Sequence, residues 1–215
     1  MTFLPKQKDA IWVAVIGIAI LTAFILYALA TGANAFIADN LLFILLTIIL
    51  ALSSDRWRLT TPTFISIIVA FTLHSAGVFG WYNISPLPIA WERITHFFGI
   101  MPVTFLLYSY LHPFFSKKCW TPQNARLFLI ILTASLGLAT LIELSEFYGY
   151  LALGLGEGMF LFGYGDSIAG KTGQELIDVL GGGWINQSWD LTIDLLGAIA
   201  ALTFMIASHY AFKKR

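Results

Sequence analysis

The sequence contains six apolar stretches that are each long enough, or nearly long enough, to cross a lipid bilayer as an α-helix. A bilayer core about 30 Å thick needs roughly 20 mostly apolar residues per helix, and charged or Gly- and Pro-containing segments separate the stretches. They cover approximately residues 10–31, 36–52, 62–81, 90–111, 125–148 and 189–212. With 58% hydrophobic and only 11% charged residues, the chain is predicted to be an all-α polytopic membrane protein, with one integral membrane domain over residues 1–215.

The charge balance narrows the classes of partner. Lys+Arg 12 equals Asp+Glu 12, so the basic excess typical of nucleic-acid-binding proteins is missing and we expect no nucleic-acid partner. The expected partner is the lipid bilayer itself. A single cysteine, Cys119, excludes both an intramolecular disulfide and a thiolate metal cluster, so any metal ion would be held by histidine and carboxylate side chains.

The placement of Lys and Arg predicts the orientation of the chain, because these residues concentrate in cytoplasmic loops. Arg93 and Lys171 fall on one side of the predicted bundle, and the other ten basic residues fall on the opposite side. These ten are Lys6, Lys8, Arg56, Arg58, Lys117, Lys118, Arg126, Lys213, Lys214 and Arg215. We therefore expect both termini to lie in the cytoplasm.

Three of the predicted helices each carry a polar pair near their outer ends. Residues three or four apart share one face of a helix. The pairs are Glu92 with His96, Glu143 with Glu146, and Asp190 with Asp194. A charged side chain near the bilayer centre costs about 2.5–3.5 kcal/mol, so such side chains need partners, water or a shallow position. If the three faces point inward, five carboxylates and an imidazole converge in a small volume.

A divalent metal ion would relieve the repulsion between these carboxylates. The predicted ligands are His96, Glu143, Glu146, Asp190 and Asp194, with Glu92 as a further member of the polar site. Oxygen ligands with an imidazole suit Zn, Mn or Fe, and an all-oxygen set suits Mg or Ca. The alternative is that the acidic residues lie at the water interface or make separate structural hydrogen bonds. The sequence leaves both alternatives open, so the cofactor stays unknown.

His74 is a further candidate, about seven residues before the outer end of the third helix and therefore about 10 Å deep at 1.5 Å per residue. It either joins the polar site or is a core histidine bonded to a neighbouring helix. The first two helices are predicted to be scaffold. His112 and His209 lie near the cytoplasmic helix ends and are excluded from the site.

The longest connection, residues 149–188, is rich in glycine and predicted to be extracytoplasmic. Its apolar residues Met159, Phe160 and Phe162 favour an interfacial or re-entrant segment over a solvated linker, and a helical piece is expected near 174–180. Within it, GDSIAGKT at 165–172 has the spacing of a phosphate-binding P-loop. A P-loop needs a surrounding parallel sheet, which this chain is not expected to have. We therefore predict no nucleotide binding.

Three ordered segments resemble the YjdF-type inner-membrane proteins, a family of small polytopic bacterial proteins without an established activity. The resemblance implies a location in the bacterial inner membrane. The segments are WERITHFFG at 91–99, ELSEFYGY at 143–150 and SWDLTIDLLGA at 188–198. The resemblance marks Glu92, His96, Glu143, Glu146, Asp190, Asp194 and Gly197. It covers roughly the last 125 residues. A looser similarity to VanZ-like proteins rests on the His-Phe helix and the later acidic helices.

Three functions are compatible with these features. The first is a metal-dependent enzyme that acts on a lipid or an envelope precursor. The second is a non-enzymatic envelope protein in which the acidic cluster fixes helix packing. The third is a small proton- or cation-coupled transporter. The reaction and the substrate do not follow from the sequence.

Overall fold

The protein is a bundle of α-helices in the computed structural model, which describes residues 7–32, 37–82, 84–118, 120–148 and 172–211. In chain order the helices are α1 (Gln7–Thr31), α2 (Ile37–Leu52), α3 (Thr61–Ala76), α4 (Trp91–Leu111), α5 (Pro122–Tyr148) and α6 (Gly173–Ala211). The described residues contain no strand. The predicted all-helical, polytopic class is confirmed, because five of the helices are long and apolar enough to cross a membrane, and α2 is a shorter apolar helix.

The outer surface of the bundle is apolar, as expected for helices that face lipid. Large side chains such as Leu26, Leu52, Leu129 and Phe204 are exposed on different helices. The interior combines apolar side chains such as Phe64 and Ile131 with buried small and polar residues. Thr104 Oγ1 on α4 donates a hydrogen bond to Ser135 Oγ on α5 at 3.0 Å. Because lipid supplies no hydrogen bonds, polar side chains in a membrane bundle pair between helices.

Helix α4 is central to the part of the bundle that contains the polar pairs, because it packs against α3, α5 and α6. Gly197 of α6 lies directly against the backbone of α4. A Cβ atom at this position would lie 2.5 Å from the Phe97 carbonyl oxygen and 2.6 Å from Ile100 Cγ2. The absence of a side chain therefore sets the separation of α4 and α6, and it lets the residues before Gly197 approach His96.

A π-helical turn, Gly77–Trp81, continues α3 and redirects the chain. Gly80 has φ 132°, a conformation that non-glycine residues rarely adopt. The Tyr82 N–H donates to the Gly77 carbonyl at 2.9 Å. A Cβ at Gly77 would lie 2.5 Å from Tyr82 Cζ, so the phenol ring packs on Gly77. The turn thus folds Tyr82 back toward the end of α3.

The predicted start of the sixth helix is wrong by sixteen residues, since α6 begins at Gly173 and not at residue 189. The helical piece expected at 174–180 is the first part of this same helix. The predicted 149–188 connection is accordingly wrong for residues 173–188, and residues 149–171 lie outside the described chain. Three consecutive glycines at 181–183 lower helix propensity by about 1 kcal/mol each and suggested a loop. In the next turn, the side chains of Asn186 and Gln187 contact α4 and α5, and these contacts stabilise this part of α6.

Replacement of Gly197 by Ala should destabilise the bundle. The added methyl group meets a backbone carbonyl that cannot rotate away, so α4 and α6 must separate, at a cost of about 1–3 kcal/mol. Thermal unfolding of the purified protein in detergent should show a lower Tm. Gly137→Ala in α5 is the matched control, because a Cβ there meets nothing within 4 Å. An equal Tm for the two variants would contradict the close packing.

Candidate functional site

His96 lies between three carboxylates that come from two other helices. Its Nδ1 is 3.6 Å from Glu143 Oε1 of α5 and 3.4 Å from Asp194 Oδ1 of α6. Its Nε2 is 3.7 Å from Asp190 Oδ1, one turn earlier on α6. Both imidazole nitrogens therefore face acidic groups. We call His96, Glu143, Asp190 and Asp194 the His96 cluster.

The three carboxylates of the His96 cluster are buried, with residue exposures of 3% for Glu143, 3% for Asp190 and 4% for Asp194. The His96 side chain is 21% exposed. Full ionisation of the three acids would leave a net charge of −2 even with a protonated imidazole. Buried like charges cannot persist unless protons or a cation compensate them. The cluster is therefore built to hold protons or a metal ion.

Two sets of three side chains have ligand atoms that all lie within 4.8 Å of one another. One set is His96, Glu143 and Asp194, in which both acids are buried. The other is Glu92, His96 and Asp190, in which Glu92 is half-buried. His96 belongs to both sets. The spacing of Glu92 with His96 and of Asp190 with Asp194 thus puts each pair on a face that points into the bundle.

Two amides of α6 brace the carboxylates. Asn186 Nδ2 lies 3.2 Å from Glu92 Oε1 and 3.1 Å from Asp190 Oδ2, so one amide group contacts both acids. Gln187 Nε2 donates to the Glu143 backbone carbonyl at 2.6 Å and joins α6 to α5. Sequence reasoning missed both amides because it assigned them to a loop. Their position four and three residues before Asp190 was the available signal.

Glu146 lies on α5 one turn beyond Glu143 and is half-buried. Among the described residues, neither set of three ligands includes it. The structure thus brings together five of the six residues in the predicted pairs, and it places Glu146 at the edge of this group.

His74 lies in a second polar group, between α2, α3 and α4. Its Nε2 is 3.5 Å from Asp39 Oδ2 of α2, and its Nδ1 is 3.1 Å from the Tyr82 hydroxyl. The Tyr82 hydroxyl also donates to Thr95 Oγ1 at 3.3 Å, and Thr95 Oγ1 donates to the Glu92 carbonyl at 2.7 Å. His74 thus lies outside the His96 cluster, at ion-pair distance from Asp39 of the neighbouring helix α2.

Helix α2 contributes buried polar residues to the second polar group. Asp39 and Asn40 of α2 are each 1% exposed, and Ser75 Oγ donates to Asn40 Oδ1 at 3.0 Å. Sequence reasoning missed Asp39 because it precedes most of the apolar run of α2 and has no polar residue three or four positions away. Tyr82 was missed because only the π-helical turn brings it to His74.

Tyr82, just beyond the third apolar span, is held as a neutral phenol. Burial raises the pKa of its hydroxyl, the hydrogen bond to Thr95 lowers it less, and the nearby carboxylates of Glu146, Glu92 and Asp190 raise it further. The phenol therefore stays protonated at pH values where an exposed tyrosine has ionised. Its hydroxyl joins the second polar group to α4 beside the His96 cluster.

Replacement of Tyr82 by Phe should lower Tm, because it removes the hydroxyl that contacts both His74 and Thr95. The free energy of unfolding should fall by about 1–3 kcal/mol. Tyr110→Phe is the control, since Tyr110 is 48% exposed. In a spectrophotometric titration, the wild type and Tyr82→Phe should show the same number of tyrosines that ionise near pH 10, the usual value, because Tyr82 does not ionise there. A stability equal to that of Tyr110→Phe would show that the hydroxyl contacts contribute little.

Comparison with known proteins places the chain in a family. A family model described as "Predicted membrane protein (DUF2238)" matches residues 11–211, which is nearly the whole chain. No curated protein and no solved structure gives a significant match. The comparisons give no support to the looser VanZ-like similarity. The chain belongs to the DUF2238 family of predicted membrane proteins.

Proposed function

We propose that this protein binds a divalent metal ion in the His96 cluster and uses it to hydrolyse a lipid or lipid-linked envelope precursor in the bacterial inner membrane. The observation that carries the proposal is the position of His96 Nδ1, which faces Glu143 and Asp194 from two other helices at 3.6 Å and 3.4 Å. We also propose that the family is that of the YjdF-type proteins, on the strength of the three shared segments.

The spacing of these atoms suits a shared metal ion. Two ligand atoms about 2.0–2.1 Å from one tetrahedral ion lie roughly 3.4 Å apart. A divalent ion bound by His96, Glu143 and Asp194 would also cancel the two buried negative charges. Burial of these ligands in an apolar bundle makes that neutralisation more valuable than it would be in water.

Asp190 would have a different role from Glu143 and Asp194. It faces the other imidazole nitrogen, Nε2, at 3.7 Å, and Asn186 contacts its second carboxylate oxygen. Histidines that bind a metal through one nitrogen commonly direct the other N–H to a carboxylate, which fixes the ring and its tautomer. Asp190 would therefore orient His96 with Nδ1 toward the ion.

Three protein ligands leave a coordination position open for water, which is the arrangement typical of catalytic metal sites. The metal ion would lower the pKa of that water and polarise the substrate. A water oxygen would attack the ester carbon or phosphorus while the bond to the leaving oxygen breaks. Glu92, half-buried beside the cluster, is positioned to accept the water proton and return it to the leaving oxygen.

A transporter is less well supported by the described residues. On the far side of the His96 cluster, α4, α5 and α6 meet in the apolar residues Ile100, Ala139 and Ala198. Farther along, Thr104 of α4 and Ser135 of α5 are fully buried and hydrogen-bonded to each other. The intervening Thr140 of α5 donates to the Leu136 carbonyl of its own helix. A purely structural role for the cluster remains as the outcome in which no metal binds.

Replacement of His96 by Ala should remove about one equivalent of divalent metal per protein. The measurement is inductively coupled plasma mass spectrometry on protein purified without a His tag, both as isolated and after incubation with Mn²⁺ or Zn²⁺. Asp194→Asn should also lower metal content, because an amide replaces a charged ligand. His112→Ala, near the other end of α4, should retain the wild-type metal content.

Metal binding should also stabilise the wild type but not His96→Ala, because a ligand that binds only the folded state raises Tm. Equal metal content in wild type and His96→Ala would contradict the proposal, as would a wild type that takes up no metal. The Tm of the metal-free forms checks that His96→Ala still folds.

We propose further that both termini face the cytoplasm, on the basis of the ten basic residues on one side of the predicted bundle. Cys119 follows Lys117 and Lys118 in sequence and would then be cytoplasmic. In intact cells it should react with a membrane-permeant maleimide but not with an impermeant one. Ile84→Cys in a Cys119→Ser background should react with the impermeant reagent as well as with the permeant one, because residue 84 is 80% exposed between α3 and α4. Labelling of Cys119 by the impermeant reagent would reverse the orientation.

A further inference from the structure

Arg93 lies at the rim of the His96 cluster. It follows Glu92 on α4 and precedes His96 by three residues, or about 4.5 Å along the helix axis. Its guanidinium carbon is 5.5 Å from the centre of the Trp189 ring on α6, and Trp189 directly precedes Asp190. Arg93 and Trp189 therefore connect α4 and α6 at the point where the cluster opens to the surface.

Arg93 is exposed and takes part in no ion pair with a carboxylate in the described part of the chain, where each of the four ion pairs contains a histidine. This is unexpected for a cation next to several acids. A guanidinium that lies over an aromatic ring keeps its N–H donors available to a further partner. Those donors match the oxygens of a phosphate group in a bidentate contact.

The aromatic residues around Arg93 indicate its depth. Trp81 and Trp91 form an edge-to-face pair at 4.4 Å, and Trp184 and Trp189 are exposed on α6. Tryptophans concentrate at the headgroup level of a membrane. On this basis we expect Arg93 at the level of the lipid phosphates, with His96 less than one helical turn farther along α4.

We propose that Arg93 binds the phosphate group of an anionic lipid whose headgroup lies over the His96 cluster. This proposal names the substrate class of the proposed metal site and rests on it for the chemistry, but the lipid contact itself needs only Arg93 and Trp189. The carboxylates of the cluster repel a phosphate group, and the positive charge of Arg93 opposes that repulsion. With a metal ion in the cluster and Arg93 at the rim, the phosphate lies between two cations.

The test is the affinity of purified protein in a non-ionic detergent for dioctanoyl phosphatidic acid, measured by calorimetric titration with Mn²⁺ and again with EDTA. Arg93→Gln should weaken binding about ten-fold or more, because charge-assisted bonds to phosphate are lost. Arg93→Lys should lose part of the affinity, since it keeps the charge but not the planar fork. Arg126→Gln, an exposed arginine at the start of α5, should bind as the wild type does.

Two further probes distinguish the sources of the signal. Dioctanoylglycerol, which lacks the phosphate, should bind at least about ten-fold more weakly; equal affinity would overturn phosphate recognition. Inorganic phosphate should also bind more weakly, and equal, Arg93-dependent binding of phosphate would overturn the lipid assignment. Unchanged affinity in Arg93→Gln would overturn the proposal entirely.

The EDTA titration separates this proposal from the metal site. If Arg93→Gln still weakens the binding of dioctanoyl phosphatidic acid in EDTA, lipid recognition is supported even if the His96→Ala experiment shows that no metal binds. If Arg93→Gln leaves that affinity unchanged both with Mn²⁺ and with EDTA, lipid recognition by Arg93 is overturned, whatever the metal content of the protein.

Discussion

The close approach of α4 and α6 at Gly197 is the constraint on which the rest of the site depends. A backbone-to-backbone contact fixes two helices more firmly than side-chain packing does, because neither partner can change rotamer. Asp194 and Asp190 lie about one and two turns, respectively, before that contact, so their distance from His96 is set by it. The amides of Asn186 and Gln187 add contacts from α6 to α4 and α5 closer to the start of α6.

Burial of acids in an apolar bundle is tolerated here because each acid has a defined polar neighbour. His96 serves three carboxylates and His74 serves Asp39. The Tyr82 hydroxyl contacts His74 and Thr95, so the polar contacts of α2 and α3 extend to α4, the helix that also carries His96. Such a network defines helix register more narrowly than apolar packing, which tolerates sliding along lipid-like surfaces.

Local spacing predicted much of this arrangement. The number and approximate limits of the first five helices follow from apolar run length, and the pairs at three- and four-residue intervals identified the inward faces of α4, α5 and α6. Asp39 and Tyr82 could not be predicted in the same way, because their contacts join residues 35 and 8 positions away in sequence, respectively, through tertiary packing and a π-helical turn. The start of α6 was missed because three glycines resemble a loop until the contacts of the next turn are known.

The two-sided contact of His96 has a consequence for its chemical replacement. An asparagine side chain places its terminal polar atoms near the position of Nδ1, and a glutamine reaches the position of Nε2. Neither can do both, so His96→Asn keeps a polar atom toward Glu143 and Asp194 while vacating the side of Asp190, and His96→Gln does the reverse. The imidazole thus separates the Glu143 and Asp194 side of the cluster from the Asp190 side. Each of the two substitutions keeps a polar atom on one side only.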